Sequence, residues 1–384
     1  MPKKPIETAI PLPMDRFTPP RHFGAMAVAM AKSGVVDYQQ PWDQLTSWWP
    51  TLLWNTKNTP VANVVKDCDS WADIYALSAY AAAVTDHKLG AAVSLDSVRR
   101  GPAELIQTMM TLANVTDGRS IFMIGGGEQK QCKPFGWKRA EGLARMEDLF
   151  RINQKMWECD GPFDFEGNHI KLDKAWLGGA RQNKYKMWAL GGGPKLMEIA
   201  TQYADGFATM APFVFTSPEH CAERITEMKK EIAAYGRDPE NYDFGIFAAV
   251  LLHEDPNVID RALDNPLFRF VTSTMGRINQ GDWDRDGIEP PMPRDWSYAI
   301  KLLPSQLSQA DVDAMIARTT REMSEKTWMY GTPDVVSKEL TRYIDAGATW
   351  INVIDMLPLL LPLEEQAAAL PRSIEVCRLL KQYQ

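Results

Sequence analysis

Short apolar runs alternate along the chain with longer stretches in which apolar residues recur every three or four positions. The first pattern predicts β-strands and the second predicts amphipathic helices. Strands that alternate with helices are typical of parallel βα units, so the predicted fold class is α/β. The predicted strands cover residues 7–12, 34–38, 88–95, 120–125, 186–190, 206–210, 244–252 and 350–356. Eight strands close a (β/α)8 TIM barrel.

The amphipathic stretches predict helices over residues 20–32, 103–114, 139–158, 195–203, 219–234, 333–346 and 363–380. Two segments interrupt the repeat. Residues 163–172 predict a small β-hairpin, and residues 256–329 predict a mostly helical insertion before the last βα unit. Because the chain shows no internal repeat and no low-complexity linker, we expect a single domain over residues 1–384.

The composition limits the kinds of partner. The chain has 49 acidic and 42 basic residues and a formal net charge of -7. Nucleic-acid binders usually show a basic face, so we expect a small-molecule substrate and no nucleic acid. The longest apolar runs, residues 75–84 and 356–363, are too short to span a bilayer, so we expect no stable membrane insertion. Scattered cysteines predict reduced thiols and a cytoplasmic location, and dispersed histidines predict no metal site.

The C-terminal end of the second predicted strand and the residues just after it bring together a carboxylate, a phenol and an indole, on Asp37, Tyr38 and Trp42. A barrel carries its active site at the C-terminal ends of its strands, so these side chains are candidates for the site. The alternative is structural, since such residues beside a proline also form turns and core contacts.

The fourth predicted strand runs into three glycines, Gly125, Gly126 and Gly127, and then into Glu128. Glycine lets the backbone approach a ligand closely. A partly desolvated Glu128 would have a raised pKa and could donate a proton near neutral pH. The alternative is a tight turn that binds nothing.

The fifth predicted strand is followed by Gly191, Gly192 and Gly193 and by a helix with Pro194 in its first turn. Unpaired N–H groups at such a helix start can bind a phosphate. The segment lacks the P-loop and dinucleotide-binding patterns. The alternative is a helix cap without a ligand.

Two further segments are candidates for contacts with a ligand. Ala92 and Val93 lie on the third predicted strand, where small residues leave room for a flat ring, although a tapered barrel would also need them. Trp48 and Trp49 lie in the loop after the second strand and could contact a bulky, apolar substrate. They could equally pack against the insertion.

Taken in order, these segments resemble the luciferase-like oxidoreductase superfamily, in particular its branch that uses the deazaflavin coenzyme F420. Residues 191–194, followed by Ala200 and by residues 203–206, are similar to the family's GGP and YADG element. Residues 37–42 are similar to the Asp-His-x-Gln-Pro-Trp segment of F420-dependent glucose-6-phosphate dehydrogenases, and residues 125–128 match their Gly-x-Gly-Glu. Residues 134–136, 139–157 and 330–334 are similar to phthiodiolone ketoreductases.

The resemblance implies a set of site residues. It implies a non-prolyl cis peptide at Ala92–Val93, with Glu128 as the general acid, Tyr38 as its helper and Asp37 beside them. Tyr38 stands where the family commonly has histidine, so a histidine proton acceptor is not expected. The implied cofactor pocket is lined by Asp37, Trp42, Ala92, Val93, Gly126, Gly127, Glu128, Gly191, Gly192 and Gly193.

The implied activity is hydride transfer between reduced F420 and a ketone or secondary alcohol. Two alternatives stay open: a monooxygenase of the same fold that uses reduced FMN and dioxygen, and a barrel that binds a flavin or lipid without turnover. A homodimer is expected because barrels of this family commonly pair.

Overall fold

A computed structural model describes residues 4–179 and 181–383 of the chain. Its strands are β1 (Glu7–Ile10), β2 (Tyr38–Gln39), β3 (Gly90–Asp96), β4 (Ser120–Gly125), β5 (Phe163–Glu166), β6 (Lys171–Ala175), β7 (Lys186–Leu190), β8 (Gly206–Ala211), β9 (Asp243–Leu252), β10 (Met329–Gly331) and β11 (Trp350–Asp355). Eight of them pair in parallel in the closed order β1-β2-β3-β4-β7-β8-β9-β11. The predicted (β/α)8 barrel is therefore confirmed.

Most of the helices surround the barrel, and the others form the insertion before the last βα unit. They are α1 (Pro20–Ser33), α2 (Ile74–Val84), α3 (Pro102–Val115), α4 (Gln129–Cys132), α5 (Gly142–Glu158), α6 (Pro194–Tyr203), α7 (Pro218–Ala234), α8 (Pro256–Leu263), α9 (Pro266–Met275), α10 (Tyr298–Lys301), α11 (Gln309–Ala317), α12 (Arg321–Thr327), α13 (Pro333–Asp345) and α14 (Ala369–Gln382). Five of these, α8 to α12, make up the mostly helical insertion. None of the helices in the described ranges is long and apolar enough to cross a membrane.

The predicted hairpin is present, and one buried carboxylate holds its turn. Strands β5 and β6 pair antiparallel. Asp148 on α5 is fully buried and accepts hydrogen bonds from the backbone N–H groups of Asn168, His169 and Ile170. The turn of the hairpin is therefore fixed by a side chain of α5.

Two local predictions are wrong. Helix α2 was not expected, because its sequence is apolar on almost every face; Asp73 begins it by accepting bonds from the N–H groups of Tyr75 and Ala76. The second strand does not cover residues 34–38 but begins at Tyr38. Gly34 ends α1 with a left-handed backbone (φ 67°), so the two valines that follow lead into the strand instead of forming it.

Large aromatic side chains fill the lower part of the barrel, towards the N-terminal ends of the strands. The rings of Trp188 and Trp350 meet edge to face with their centroids 5.8 Å apart, and both side chains are fully buried. Gly245 makes room for them, because a Cβ atom there would lie 2.8 Å from the Trp188 ring. A ligand can therefore enter the barrel only from its other end.

The glycine turn after β4 is held by a close backbone contact with α5. A Cβ atom on Gly142 would lie 1.8 Å from the carbonyl oxygen of Gly126, so only glycine permits this approach. The hydroxyl of Ser97 donates a hydrogen bond of 2.7 Å to the Gly142 carbonyl. The first residue of α5 thus fixes the position of the turn that precedes Glu128.

We predict that Gly142→Ala moves this turn and lowers the free energy of unfolding by about 1–3 kcal/mol, the usual cost of overpacking. Chemical denaturation measures the change. Gly161→Ala is the control, because nothing lies within 4 Å of a Cβ at that position. Equal stability of the two variants would contradict the contact.

Candidate active site

A cavity of about 610 Å³ opens at the C-terminal ends of the barrel strands. Its floor includes Leu95 of β3, Thr209 of β8 and Ile354 of β11, and its glycine-rich rim comes from the turns after β4 and β7. The insertion forms the opposite wall with residues that include Val271, Met275, Trp296, Tyr298 and Ile300. The insertion therefore converts an open barrel mouth into a chamber.

Nine of the predicted site residues line this cavity: Trp42, Trp48, Trp49, Gly126, Gly127, Glu128, Gly191, Gly192 and Gly193. They come from three loops that follow β2, β4 and β7. The barrel closure brings these loops to one end of the molecule, although up to about 150 residues of sequence separate them.

Asp37 and Tyr38 do not belong to the cavity, and their predicted placement is wrong. The Asp37 carboxylate accepts a hydrogen bond from the N–H of Thr8 and lies 2.7 Å from the ammonium group of Lys381, near the C-terminal end of α14. The Tyr38 hydroxyl donates to Glu7, the first residue of β1. Because β2 begins at Tyr38, both residues lie at the N-terminal end of the barrel, and burial raises the pKa of Tyr38 there.

Ala92 and Val93 are also not among the residues that line the cavity. Both are fully buried in the middle of β3, where they pair with Ile121 and Phe122 of β4 in regular parallel register. Among the residues that the structure describes, the cis peptide bond is Ala211–Pro212, so the cis bond predicted at Ala92–Val93 is not found. The small side chains there serve the packing of the barrel.

The turn after β7 presents an open helix start to the cavity. Gly193 is the N-cap of α6 and caps it without a side chain. Nothing lies within 4 Å of the position that a Cβ on Gly193 would take, whereas a Cβ on Gly192 would meet Val214 at 2.7 Å. Lys195, in the first turn of α6, and Asn279 of the insertion line the same region. Free N–H groups and a nearby cation at a helix N-terminus suit an anionic ligand.

Glu128 forms a buried ion pair that sequence reasoning did not detect. Its Oε2 lies 2.9 Å from Nζ of Lys130, a side chain that is only 2% exposed. Nζ also donates to the side-chain oxygen of Gln44 at 2.6 Å and to the carbonyl of Thr46 at 2.9 Å. The ammonium group therefore has two hydrogen-bond acceptors and a carboxylate counter-ion.

Glu128 also accepts a hydrogen bond from the insertion. The Tyr298 hydroxyl donates to its Oε1 at 2.9 Å, and both residues line the cavity. No sequence signal indicated this contact, because 170 residues separate the partners and Tyr298 begins a helix of four residues.

The expectation that Glu128 has a raised pKa is wrong. Burial alone would raise it, but the Lys130 ammonium and the hydrogen bonds from Lys130 and Tyr298 together hold the pKa of Glu128 below its ordinary value. Burial also places the pKa of Tyr298 well above its ordinary value, and the neighbouring Glu128 carboxylate adds to the increase. Near neutral pH, Glu128 is therefore a carboxylate and Tyr298 a protonated phenol.

The two tryptophans predicted to face a substrate differ in their surroundings. Trp48 packs edge to face against Trp42, with ring centroids 5.3 Å apart, and against Trp71 at 5.6 Å. Trp49 is 6% exposed, and its indole N–H donates to the carbonyl of Leu267 on α9. Trp49 therefore anchors the loop to the insertion. Packing against the insertion was the alternative considered for Trp48 and Trp49.

A closed barrel with one chamber at the C-terminal ends of its strands has the architecture of a barrel enzyme. The model of the luciferase-like monooxygenase family matches residues 59–349. The chain belongs to this family, so the resemblance drawn from its sequence is confirmed, and the protein is an oxidoreductase.

Three individual proteins are similar to this chain at sequence identities of 17–25%. The phthiodiolone/phenolphthiodiolone dimycocerosates ketoreductase of Mycobacterium tuberculosis is 25% identical over 271 residues, which are 70% of this chain and 69% of that protein. The F420-dependent glucose-6-phosphate dehydrogenase of Mycolicibacterium fortuitum is 25% identical over 186 residues, 47% of this chain and 53% of that protein. A solved F420-dependent secondary alcohol dehydrogenase, in complex with an F420-acetone adduct, shares the fold with a TM-score of 0.70 at 17% identity, covering 98% of this chain and 99% of that one.

We predict that Lys130→Met lowers the free energy of unfolding by about 3–5 kcal/mol near neutral pH, because it leaves the Glu128 carboxylate buried without its counter-ion. The double variant Glu128→Gln/Lys130→Met should recover much of this loss. The ion pair stabilises the folded protein at pH values above the ordinary pKa of glutamate. Its contribution to the free energy of unfolding should disappear as the pH falls through the lowered pKa of Glu128.

Chemical denaturation across a pH series measures these effects. Lys171→Met is the matched control, since it removes the lysine of an exposed pair with Glu166 and should change stability by at most about 1 kcal/mol. A Lys130→Met variant as stable as this control would contradict the assignment of a buried ion pair.

Proposed function

We propose that the protein is an F420-dependent oxidoreductase that transfers hydride between the reduced cofactor and a ketone or secondary alcohol. One observation carries the proposal: Glu128 and the glycine turns of residues 125–127 and 191–193 meet in a single cavity at the C-terminal ends of the barrel strands. Two relatives, a ketoreductase and an F420-dependent dehydrogenase, support the kind of reaction.

The cavity has features that fit a cofactor with a flat ring and an anionic side chain. Gly193 leaves space at the start of α6, where backbone N–H groups and Lys195 would hold the negative charge. In the described part of the chain, the buried hydroxyl of Thr209 on the cavity floor has no hydrogen-bond partner. A ring carbonyl or ring N–H is the kind of group that would satisfy it.

The chain's own contribution is to bind, to orient and to exclude water. When bound, the reduced deazaflavin supplies the hydride and is itself oxidised. Trp42 and Trp48 shield one side of the chamber, and the insertion covers it from the other side. The carboxylate of Glu128, fixed by Lys130, holds a defined charge beside the reacting groups.

The wall of the chamber favours a bulky, apolar substrate. Val271, Met275, Trp296 and Trp328 of the insertion line it together with Phe213, which follows β8, and all five are buried. Burying apolar substrate surface against such a wall contributes about 25 cal/mol per Å². A long-chain or polycyclic ketone would use this wall, whereas a small ketone would leave most of it in contact with water.

Cofactor titration tests the proposal. We expect the purified protein to bind F420 more tightly than FMN, measured by calorimetry or fluorescence with each cofactor in both redox states, and to reduce a ketone with reduced F420. Binding of FMN alone, with oxygen consumption, would instead support a monooxygenase, the activity for which the family is named. Cofactor binding without turnover of any ketone in a broad panel would indicate a non-catalytic barrel.

A glycine variant locates the anionic side chain of the cofactor. Gly193→Ala should weaken binding by about 1–3 kcal/mol, the scale of a lost charge-assisted hydrogen bond, because the methyl group occupies the space before α6. The fold should be unchanged, since nothing lies within 4 Å of the added atom. Gly161→Ala is again the control. Unaltered affinity in folded Gly193→Ala protein would refute this location.

We predict that Trp48→Ala raises KM for a long-chain or polycyclic ketone far more than for a small one, because Trp48 lines the chamber. Steady-state kinetics with both ketones measures the difference. Trp71→Ala is the matched control, since its ring packs on Trp48 but does not line the cavity. Equal changes in KM for the two ketones would assign Trp48 a structural role.

A further inference from the structure

We propose that Tyr298, contributed by the insertion, donates the proton to the substrate oxygen, with Glu128 and Lys130 as the residues that position it and return a proton to it. The inference rests on the proposed function and extends it to a residue outside the barrel. Tyr298 would be a catalytic residue, because it lines the cavity and its hydroxyl contacts Glu128, which also lines it. Glu128 and Lys130 would act through it.

The contacts of Tyr298 give its hydroxyl a defined position. Oη lies 2.9 Å from Oε1 of Glu128, and Oε2 of the same carboxylate lies 2.9 Å from Nζ of Lys130. Lys130 cannot easily move, since Gln44 and Thr46 hold its other hydrogens and the Trp48 ring lies 4.9 Å from Nζ. The phenol is therefore fixed through a chain of three polar groups that starts in the barrel.

A proton donor is needed because hydride transfer to a carbonyl carbon leaves negative charge on the oxygen. Glu128 is a carboxylate whose oxygens accept from Lys130 and Tyr298, so it has no proton to give. Tyr38, the other phenol considered for this role, lies at the opposite end of the barrel. Tyr298 lines the cavity, carries a proton and stands beside the ion pair of Glu128 and Lys130.

The hydride comes from the reduced cofactor, whose C–H bond breaks as the new C–H bond forms on the carbonyl carbon, so the cofactor would be oxidised. The two electrons of the C=O π bond move to the oxygen, and the oxygen takes the proton of Tyr298 Oη. Lys130 then gives a proton to Glu128, and the Glu128 carboxyl passes it to the Tyr298 oxygen. Lys130 is left neutral and regains its proton from water. Oxidation of an alcohol would run the same steps in reverse.

The charged groups around Lys130, Glu128 and Tyr298 favour proton transfer in this order. Lys130 faces Glu128, Arg99 and Asp69, and Tyr298 faces Glu128 and Arg139. Burial, with a further effect from Arg99, lowers the pKa of Lys130 despite its carboxylate partner. The buried ammonium is thus a readier proton source than an exposed lysine, and its loss of charge relieves its desolvation.

The principal experiment compares Tyr298→Phe with the wild-type protein in single-turnover reduction of a ketone by reduced F420. We expect the rate of hydride transfer to fall about 10²–10⁴-fold, the usual cost of losing a general acid, while cofactor affinity stays within a factor of two or so. The control is Tyr235→Phe, at an exposed tyrosine that ends α7 away from the cavity. A Tyr298→Phe rate within about threefold of wild type would overturn the inference.

A second measurement uses the protein without cofactor. In protein carrying isotope-labelled tyrosine, the ring-carbon NMR signal of Tyr298, assigned from Tyr298→Phe, should titrate well above the ordinary range of tyrosine. In Glu128→Gln its midpoint should fall, because a neutral amide no longer opposes the phenolate. A midpoint that is unchanged by Glu128→Gln would overturn the proposed coupling of the two residues.

The outcomes separate the inference from the proposed function. If the wild-type protein reduces no ketone with reduced F420, both are overturned. If it does so and Tyr298→Phe is equally fast, only the role of Tyr298 is overturned. Slow chemistry in Tyr298→Phe, with normal cofactor affinity and a shifted NMR midpoint in Glu128→Gln, supports the inference.

Discussion

The buried ion pair between Glu128 and Lys130 is the interaction on which the site depends. An ammonium group that is 2% exposed needs a counter-ion and hydrogen-bond acceptors, and here Glu128 provides the opposite charge while Gln44 and Thr46 accept hydrogen bonds. To satisfy this requirement the loop after β2 must lie against α4. The same carboxylate then reaches the insertion through Tyr298. One desolvated charge thus ties together three segments that are distant in sequence.

The rest of the architecture leaves room for this arrangement at one end of the barrel only. Trp188 and Trp350 block the lower interior, and glycines on the neighbouring strands accept their bulk. Gly142 allows α5 to touch the backbone of Gly126, which sets the turn from which Glu128 projects. The insertion then closes the chamber with apolar side chains. The site is therefore defined by close packing below it and by the apolar side chains of the insertion above it.

Sequence periodicity predicted the barrel and the glycine turns well, because both depend on local patterns. For seven of the eight barrel strands, the predicted first and last residues lie within two residues of those observed. Glu128 and Gly191 to Gly193 line the cavity as expected. Tyr38 was misplaced because Val35 and Val36 look like a strand, although they only follow the helix end at Gly34. A shift of a few residues in a short strand moves a side chain to the other end of the barrel.

The partners of Glu128 could not be predicted for a different reason. Lys130 is two residues away, but its burial depends on Gln44 and Thr46, more than 80 residues earlier in the chain. Tyr298 belongs to a short helix whose place over the barrel is set by the packing of the whole insertion. Without these contacts, a carboxyl group in an apolar chamber would be expected to have a raised pKa. With them, its pKa is lowered.

Whether Glu128 is ionised near neutral pH can be measured by infrared difference spectroscopy. Spectra of the wild-type protein and of Glu128→Gln, recorded near neutral pH and subtracted, isolate the vibrations of this one carboxyl group. We expect the difference to contain carboxylate bands, and the band of a protonated carboxyl to appear only on acidification below the ordinary range of glutamate. A protonated carboxyl band for Glu128 near neutral pH would contradict it.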